Sequence, residues 1–323
     1  MSDLHQAIKE KFQAAQHILI VSHIRPDGDA IGSMLALGLA LQEIGKDVQM
    51  VMTDGVPSTF RHLPGSDQIQ GKAKGDFDLV VTVDCSDIKR TGSSLDGRGQ
   101  PDIVIDHHIT TEPFGALNLI EPDAVATTSV LARHMPEWGL PITTPIAASL
   151  MTGLVTDTLG FRTANTSPEA LRQAADLLEL GVDMSALYFR SLVRRTFTAA
   201  RYWGAGLSNI QRTDGIIYVT LTLDDRQASG YTGNDDADLI NVVSSIDEAD
   251  IAIIFVEQNE QKVKVSWRGL QQHLDVAQIA KQFGGGGHKA ASGAEVRGSL
   301  AEVQERVLRA TRKSLNSSYS TSV

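Results

Sequence analysis

His23, Asp27 and Asp29 stand within seven residues of one another, in the run His23-Ile24-Arg25-Pro26-Asp27-Gly28-Asp29. Three further segments add Asp84, the pair His107-His108 after Asp106, and Asp157 in Gly153-Leu154-Val155-Thr156-Asp157-Thr158. Carboxylate oxygens mixed with imidazole nitrogens are donors for a divalent cation, and this set suits manganese better than a metal that prefers soft ligands. Each segment alone has a plainer explanation. Asp29 would serve as a helix N-cap, Asp84 would cap a turn, an adjacent His pair is common on surfaces, and Asp157 would satisfy a backbone terminus. Brought together, the four acids conflict: at about 5 Å and an effective dielectric near 20, each carboxylate pair repels by about 3 kcal/mol, and four carboxylates make six pairs. Divalent cations remove that conflict.

Gathering these segments requires a parallel sheet. Apolar runs at 18–21, 48–52, 79–83 and 103–105 read as strands, with a helix over 30–44 between the first two. Unbroken Val/Ile/Leu runs suit strands covered on both sides, so the predicted fold class is α/β, a mostly parallel sheet with helices on both faces. His23, Asp84 and Asp106-His107-His108 each come at or just past a predicted strand end, where open parallel sheets collect their ligands. Pro26 stops the strand ladder, and Gly28 is expected to turn the backbone tightly between the two acids. Further helices are expected over 126–134, 144–158, 168–180 and 184–193. Asp157 falls late in the second of these, where burial would drive a carboxylate neutral.

From about residue 207 the order of elements changes. A strand at 216–221 precedes a helix at 239–246, a hairpin of 251–256 and 262–267, a helix at 276–283 and a closing helix at 300–311. The expected division is a metal-binding catalytic domain over 1–187 and a polar, basic connector over 188–206. A smaller α/β domain over 207–315 follows, with a cleft between the domains and a Ser-rich disordered tail over 316–323. The 323 residues suit two domains, and 42% hydrophobic with 21% charged residues is an ordinary globular balance. No apolar run approaches the roughly 20 residues of a membrane span, and the first residues lack a basic-then-apolar signal pattern. Cys85 is the only cysteine, which excludes an internal disulfide and fits a reducing cytoplasm. A formal net charge of -10 argues against a track for long nucleic acid, and favours a small anionic substrate in a pocket where metals reverse the charge.

Gly284-Gly285-Gly286-Gly287-His288-Lys289 is the second informative run. Consecutive glycines let backbone N–H groups converge on an anion. The run is not a P-loop, because Lys289 follows His rather than Gly and Ala290 comes next.

These motifs resemble the DHH phosphoesterases. His23-Ile24-Arg25-Pro26-Asp27-Gly28-Asp29-Ala30-Ile31-Gly32-Ser33 is similar to the first motif of that family and Val83-Asp84-Cys85 to the second. Asp106-His107-His108 is similar to the third and Gly153–158 to the fourth. The resemblance implies two metal ions, most simply Mn2+. One would be held by His23, Asp27 and Asp84, the other by Asp29, Asp84, His107 and Asp157, with Asp84 bridging and His108 left to contact phosphate or assist proton transfer. His108 and Asp84 are therefore the implied catalytic residues. The glycine run resembles the signature of the DHH-associated domain, which implies substrate binding by Arg268, Gly285, Gly286, Gly287 and His288. Ser129 stands where relatives often carry an acid. Cys85, beside Asp84, occupies a position that is ordinarily a small packed residue and not a nucleophile.

The implied activity is two-metal hydrolysis of short oligoribonucleotides to mononucleotides and of 3′-phosphoadenosine-5′-phosphate to AMP, in the manner of the nano-RNase type. A cyclic-dinucleotide phosphodiesterase, a RecJ-like single-strand exonuclease and a non-catalytic nucleotide-binding regulator are the alternatives. The implied partners are short RNA or a small nucleotide, with no membrane; the oligomeric state is left open.

Overall fold

The computed structural model describes residues 3–271, 273–287 and 289–320, the last four as backbone. They form two compact units, Met1–Arg194 and Arg195–Val323. The first comprises α1 (Asp3–Ala14), β1 (His17–Val21), α2 (Gly28–Glu43), β2 (Asp47–Val51), β3 (Leu79–Val83), β4 (Ile103–Asp106) and β5 (Leu117–Ile120), followed by α3 (Thr127–Trp138), α4 (Thr144–Asp157), α5 (Pro168–Glu179) and α6 (Met184–Tyr188). Its five strands are all parallel, in the order β2-β1-β3-β4-β5. That order reverses between β1 and β3, which opens a crevice at their carboxyl ends.

The apolar strand runs are buried on both faces, as their composition predicts. Ile18 and Ile20 join Val81, Val83, Ile103 and Ile105 in a large core with the helices. Leu19, Val21 and Val51 face the other way, onto Leu95 and the flanking Phe77 and Ile88. This second face is closed by the strand connections, among them the short 3-10 turn Ile88–Thr91. The helical core therefore lies on one side of the sheet and a thinner, turn-built layer on the other.

Close packing of α2 on α4 brings two of the acidic segments together. A Cβ on Gly32 would come within 2.4 Å of the Ser149 carbonyl oxygen, and one on Gly28 within 2.3 Å of Thr156 Oγ1. Gly28 therefore serves a close helix contact and not the tight turn expected for it. It lies in the first turn of α2, whose N-cap is Asp27 and not Asp29: Asp27 Oδ1 accepts from the Asp29 and Ala30 amides, each at 3.1 Å.

The second unit comprises α7 (Phe197–Ser208), β6 (Gln211–Thr213), β7 (Ile216–Leu221), α8 (Leu223–Ser229), α9 (Leu239–Val243), β8 (Ile251–Asn259) and β9 (Lys262–Gly269), then α10 (Val276–Lys281), β10 (Gly286–Gly287), β11 (Ala291–Arg297) and α11 (Leu300–Ser320). Its sheet runs β10-β11-β9-β8-β7-β6, with only β7 and β8 parallel. Along β8 successive residues alternate between two cores: Ile251, Ile253 and Phe255 on one face, Ala252, Ile254 and Val256 on the other. The stretch read as a connector is largely helical. A π-helical turn, Phe189–Val193, follows α6, the boundary between units falls after Arg194, and α7 buries Tyr202 in the second unit. The tail expected to be disordered is also helical as far as Ser320, because α11 carries Val303, Val307, Leu308 and Leu315 into the core. Residues 321–323 lie outside the described residues.

Candidate metal centre

Four segments of the first unit converge at the carboxyl end of its sheet. His23 and Asp27 follow β1, Asp29 lies in the first turn of α2, Asp84 follows β3, His107 and His108 follow β4, and Asp157 ends α4. Their donor atoms fall into three overlapping triads, His23/Asp27/Asp84, Asp29/His107/Asp157 and Asp84/His107/His108. All seven sequence-predicted residues of the first unit, the six metal candidates and His108, are thus in one cluster.

The distances are those of donors around a common centre. His23 Nε2 lies 3.8 Å from Asp27 Oδ2 and 3.5 Å from Asp84 Oδ2. His107 Nε2 lies 3.8 Å from Asp29 Oδ2, 3.9 Å from Asp84 Oδ1 and 3.3 Å from Asp157 Oδ2. Metal–donor bonds of about 2.1 Å place neighbouring donors about 3.0–3.5 Å apart, so modest contraction of this cage would suit an ion. The two oxygens of Asp84 face different imidazoles, Oδ2 toward His23 and Oδ1 toward His107. A carboxylate in that position can belong to two sites at once.

Backbone contacts fix which imidazole nitrogen is offered. His23 Nδ1 donates to the Ile24 carbonyl at 2.8 Å and His107 Nδ1 to the Ala124 carbonyl at 3.2 Å. A carbonyl can only accept, so the proton sits on Nδ1 in both rings and Nε2 presents its lone pair to the cluster. Asp29 is aimed by the start of α3. Its Oδ2 accepts from the Thr127 amide at 2.6 Å, and its Oδ1 accepts from the Thr128 amide at 3.0 Å and the Thr128 hydroxyl at 2.7 Å. The Thr127 hydroxyl donates to Asp84 Oδ1 at 3.0 Å. Gly153 leaves room for this arrangement, since a Cβ there would stand 2.3 Å from Asp29 Oδ1.

Without a cation the cluster must hold protons instead. Burial, then the charges of Asp84 and Asp157, push the Asp29 carboxyl well above its ordinary range. Burial raises Asp157 to about 6, although its hydrogen bond with His107 opposes the shift. Burial disfavours the charged form of His107, but hydrogen bonding to Asp157 and the charges of Asp29, Asp84 and Asp157 outweigh it and carry the imidazole to about 11. For Asp84 burial is outweighed by His23, His107 and His108, and the carboxyl is held below its usual range. Asp157 also sits at the carboxyl end of α4, where the helix dipole disfavours an anion. A divalent cation would displace these protons and satisfy every one of the groups. The residues present fit such ions.

Asp106 is the residue whose role the sequence did not reveal. It is fully buried, and its Oδ1 accepts from the His107 amide at 2.9 Å and from His108 Nδ1 at 2.8 Å. Its other oxygen accepts from the Thr111 hydroxyl. Asp106 therefore orients both histidines and stands outside the donor triads. Burial opposes protonation of His108, but the hydrogen bond to Asp106 and the charges of Asp84 and Asp106 raise its pKa. Cys85 is buried, its thiol pushed up to about 12 by burial, and Sγ donates to the Asp87 carbonyl at 3.2 Å. Ser129, at the position read as a departure, donates to Gln173 Oε1 at 2.6 Å.

In the second unit Arg268 lies on β9, half-buried, with Nη1 donating to the Trp267 carbonyl at 3.1 Å. Burial lowers its pKa against the charges of Asp236 and Asp238. Gly286 and Gly287 form the edge strand β10, paired with Gly293 and Ser292 of β11, so these two glycines are part of the sheet. Gly285 packs so tightly that a Cβ would come within 2.2 Å of the Gly293 carbonyl oxygen. His288 lies outside the described residues.

Comparison with known proteins agrees with this architecture. Residues 17–154 match the DHH family, N-terminal domain, and residues 214–317 match the DHHA1 domain. The bifunctional oligoribonuclease and PAP phosphatase NrnA of Thermus thermophilus is 36% identical over 304 residues, spanning 92% of this chain and 90% of that protein. The crystal structure of an exopolyphosphatase-related protein from Bacteroides fragilis superposes with a TM-score of 0.88 at 25% identity, covering 98% of this chain and 96% of that one. The exonuclease RecJ bound to manganese shares the fold at 18% identity, with a TM-score of 0.51 and coverage of 97% and 95%. The chain belongs to the DHH family, its N-terminal DHH domain followed by a DHHA1 domain.

Proposed function

We propose that this chain is a metal-dependent phosphoesterase that hydrolyses short oligoribonucleotides to mononucleotides and 3′-phosphoadenosine-5′-phosphate to AMP. The observation that carries this reading is the cluster of three donor triads, with Asp84 in two of them and its two oxygens facing His23 and His107. In it, His23, Asp27 and Asp84 hold one divalent cation, and Asp29, Asp84, His107 and Asp157 hold the other. Manganese suits this mixture of oxygen and imidazole. Paired divalent cations supply a water nucleophile at neutral pH and stabilise charge on phosphoryl oxygens.

The protein's own contribution is placement. The backbone carbonyls of Ile24 and Ala124 keep two imidazoles in the ligating tautomer, and the start of α3 keeps Asp29 turned inward. His108, oriented through Nδ1 by Asp106, is assigned the reacting phosphate and delivery of a proton to the leaving oxygen. Arg268, the edge backbone of Gly285, Gly286 and Gly287, and His288 are assigned the non-reacting part of the nucleotide. A net charge of -10 disfavours a long nucleic-acid track, which supports substrates of dinucleotide length. Among the described residues no helix is long and apolar enough to cross a membrane. With the single buried cysteine, that supports a cytoplasmic setting.

The test is a substrate panel with manganese supplied: 3′-phosphoadenosine-5′-phosphate, linear and cyclic dinucleotides, a longer oligomer and pyrophosphate. Turnover of the first and of linear dinucleotides above the rest is expected. Pyrophosphate as the sole good substrate would overturn the assignment, and tight dinucleotide binding without hydrolysis would make the chain a regulator.

A further inference from the structure

A second group of metal-ligating side chains lies where α1 packs on α3, away from the centre described above. His5 stands in the first turn of α1, and His134 and Glu137 stand one turn apart on α3. The His5 and His134 rings are tilted, with centroids 4.2 Å apart and planes 33° apart, against the buried Trp138. One donor atom from each of His5, His134 and Glu137 falls within 4.8 Å of the others. Along α3, seven residues separate Thr127 from His134, about 10 Å of helix, so this cluster is distinct from the catalytic one.

The decisive atom is His134 Nδ1. His134 is only 7% exposed, and its Nε2 donates to Glu121 Oε1 at 2.6 Å. The other oxygen of Glu121 pairs with Arg133, and Arg133 Nε also donates to Glu169 at 2.7 Å. Glu121 thus works as an anchored acceptor that keeps the His134 proton on Nε2. Nδ1 is left as a buried acceptor with no hydrogen-bond partner, 4.0 Å from Glu137 Oε2. A buried, unsatisfied acceptor is destabilising, and an aromatic stack needs no nitrogen there. A carboxylate holding the outer N–H of an imidazole, with the inner nitrogen bare, is the arrangement that supports a metal-bound histidine.

We propose that His5, His134 and Glu137 form a second cation site, for a borderline divalent ion of the zinc class, that fastens α1 to α3. Two imidazoles and one carboxylate are a zinc-type donor set, in contrast to the oxygen-rich catalytic cluster. Glu137, half-exposed, gives the ion its route from solvent. The site is structural: an ion bound there stabilises the folded first unit and leaves the chemistry unchanged.

The test uses the full chain with manganese already supplied. Zinc is titrated calorimetrically, and zinc-soaked crystals are measured for anomalous scattering at the zinc edge. The expected result is an anomalous peak about 2.0–2.1 Å from a nitrogen of each imidazole. With it should come one zinc equivalent that His5→Gln and Glu137→Gln abolish, while turnover of a dinucleotide is unchanged. Glu121→Gln, which removes no ligand, should weaken that equivalent about 10–100-fold. His5 and Glu137 lie at or near the surface, so their variants are expected to fold. No zinc peak at these residues in the wild-type chain would overturn the proposal, as would an equivalent that survives both substitutions.

Discussion

The two units assemble their candidate binding groups in opposite ways. In the first, donors from four distant segments meet only because a parallel sheet ends there and α2 and α4 touch through Gly28, Gly32 and Gly153. Local preferences are overridden at two of these points: Asp157 places a carboxyl group at a helix carboxyl end, and Asp84 takes a left-handed backbone with φ 51°. In the second unit Arg268 and the glycine strand lie in the antiparallel part of one mixed sheet, each paired with β11, and the one unusual backbone angle in the strand, φ 139° at Gly287, falls on a glycine. That difference supports the proposed division, chemistry in the first unit and affinity in the second, since a folded protein tolerates such local conflict where function repays it.

Substitutions should separate the two roles in graded steps. The largest effect is expected for Asp84→Ala, which removes the carboxylate proposed to serve both cations. Manganese-dependent turnover should be abolished in an assay on 3′-phosphoadenosine-5′-phosphate, and retained activity would show that Asp84 is not shared. Asp106→Asn keeps the shape but removes the negative charge beside His108 and turns one acceptor oxygen into a donor. It should lower kcat about 100-fold or more with little change in KM, and an unchanged kcat would remove His108 from proton transfer.

Gly153→Ala presses a methyl group against the Asp29 carboxylate. A stability loss of about 1–3 kcal/mol by denaturant titration, with manganese affinity weakened about 10–100-fold, is the expected outcome; wild-type metal affinity would mean that Asp29 is free to shift. Arg268→Ala should instead raise KM about 10-fold and leave kcat near its wild-type value. A collapse of kcat would erase the division between chemistry and affinity. The smallest effect concerns Cys85, buried and with its thiol pushed up to about 12. A thiol reagent at pH 8 should label it only after unfolding, with activity intact beforehand.

Much of the first unit was legible because its physics is stark. Strands buried on both faces have to be continuous runs of Val, Ile and Leu, and four acids cannot crowd together without cations. Elements with weaker patterns escaped notice. The α1 helix buries only Ile8 and Phe12 among polar neighbours, β5 is four residues long, and β11 is built largely of small residues. The role of Gly28 was misread because a close contact with Thr156, far along the chain, leaves no local trace. The roles of Asp106, Thr127 and Thr128 were invisible for the same reason. Thr127 meets Asp29 across 98 positions, through a backbone amide that any residue but proline would supply.

The proposed dinuclear centre would share Asp84 between its two ions, and manganese titration followed by electron paramagnetic resonance tests it directly. The wild-type chain should show the spectrum of an exchange-coupled manganese pair, about 3.5–4 Å apart, and Asp84→Ala should lose that coupled signal. Isolated, uncoupled manganese in the wild-type chain at saturation would contradict it.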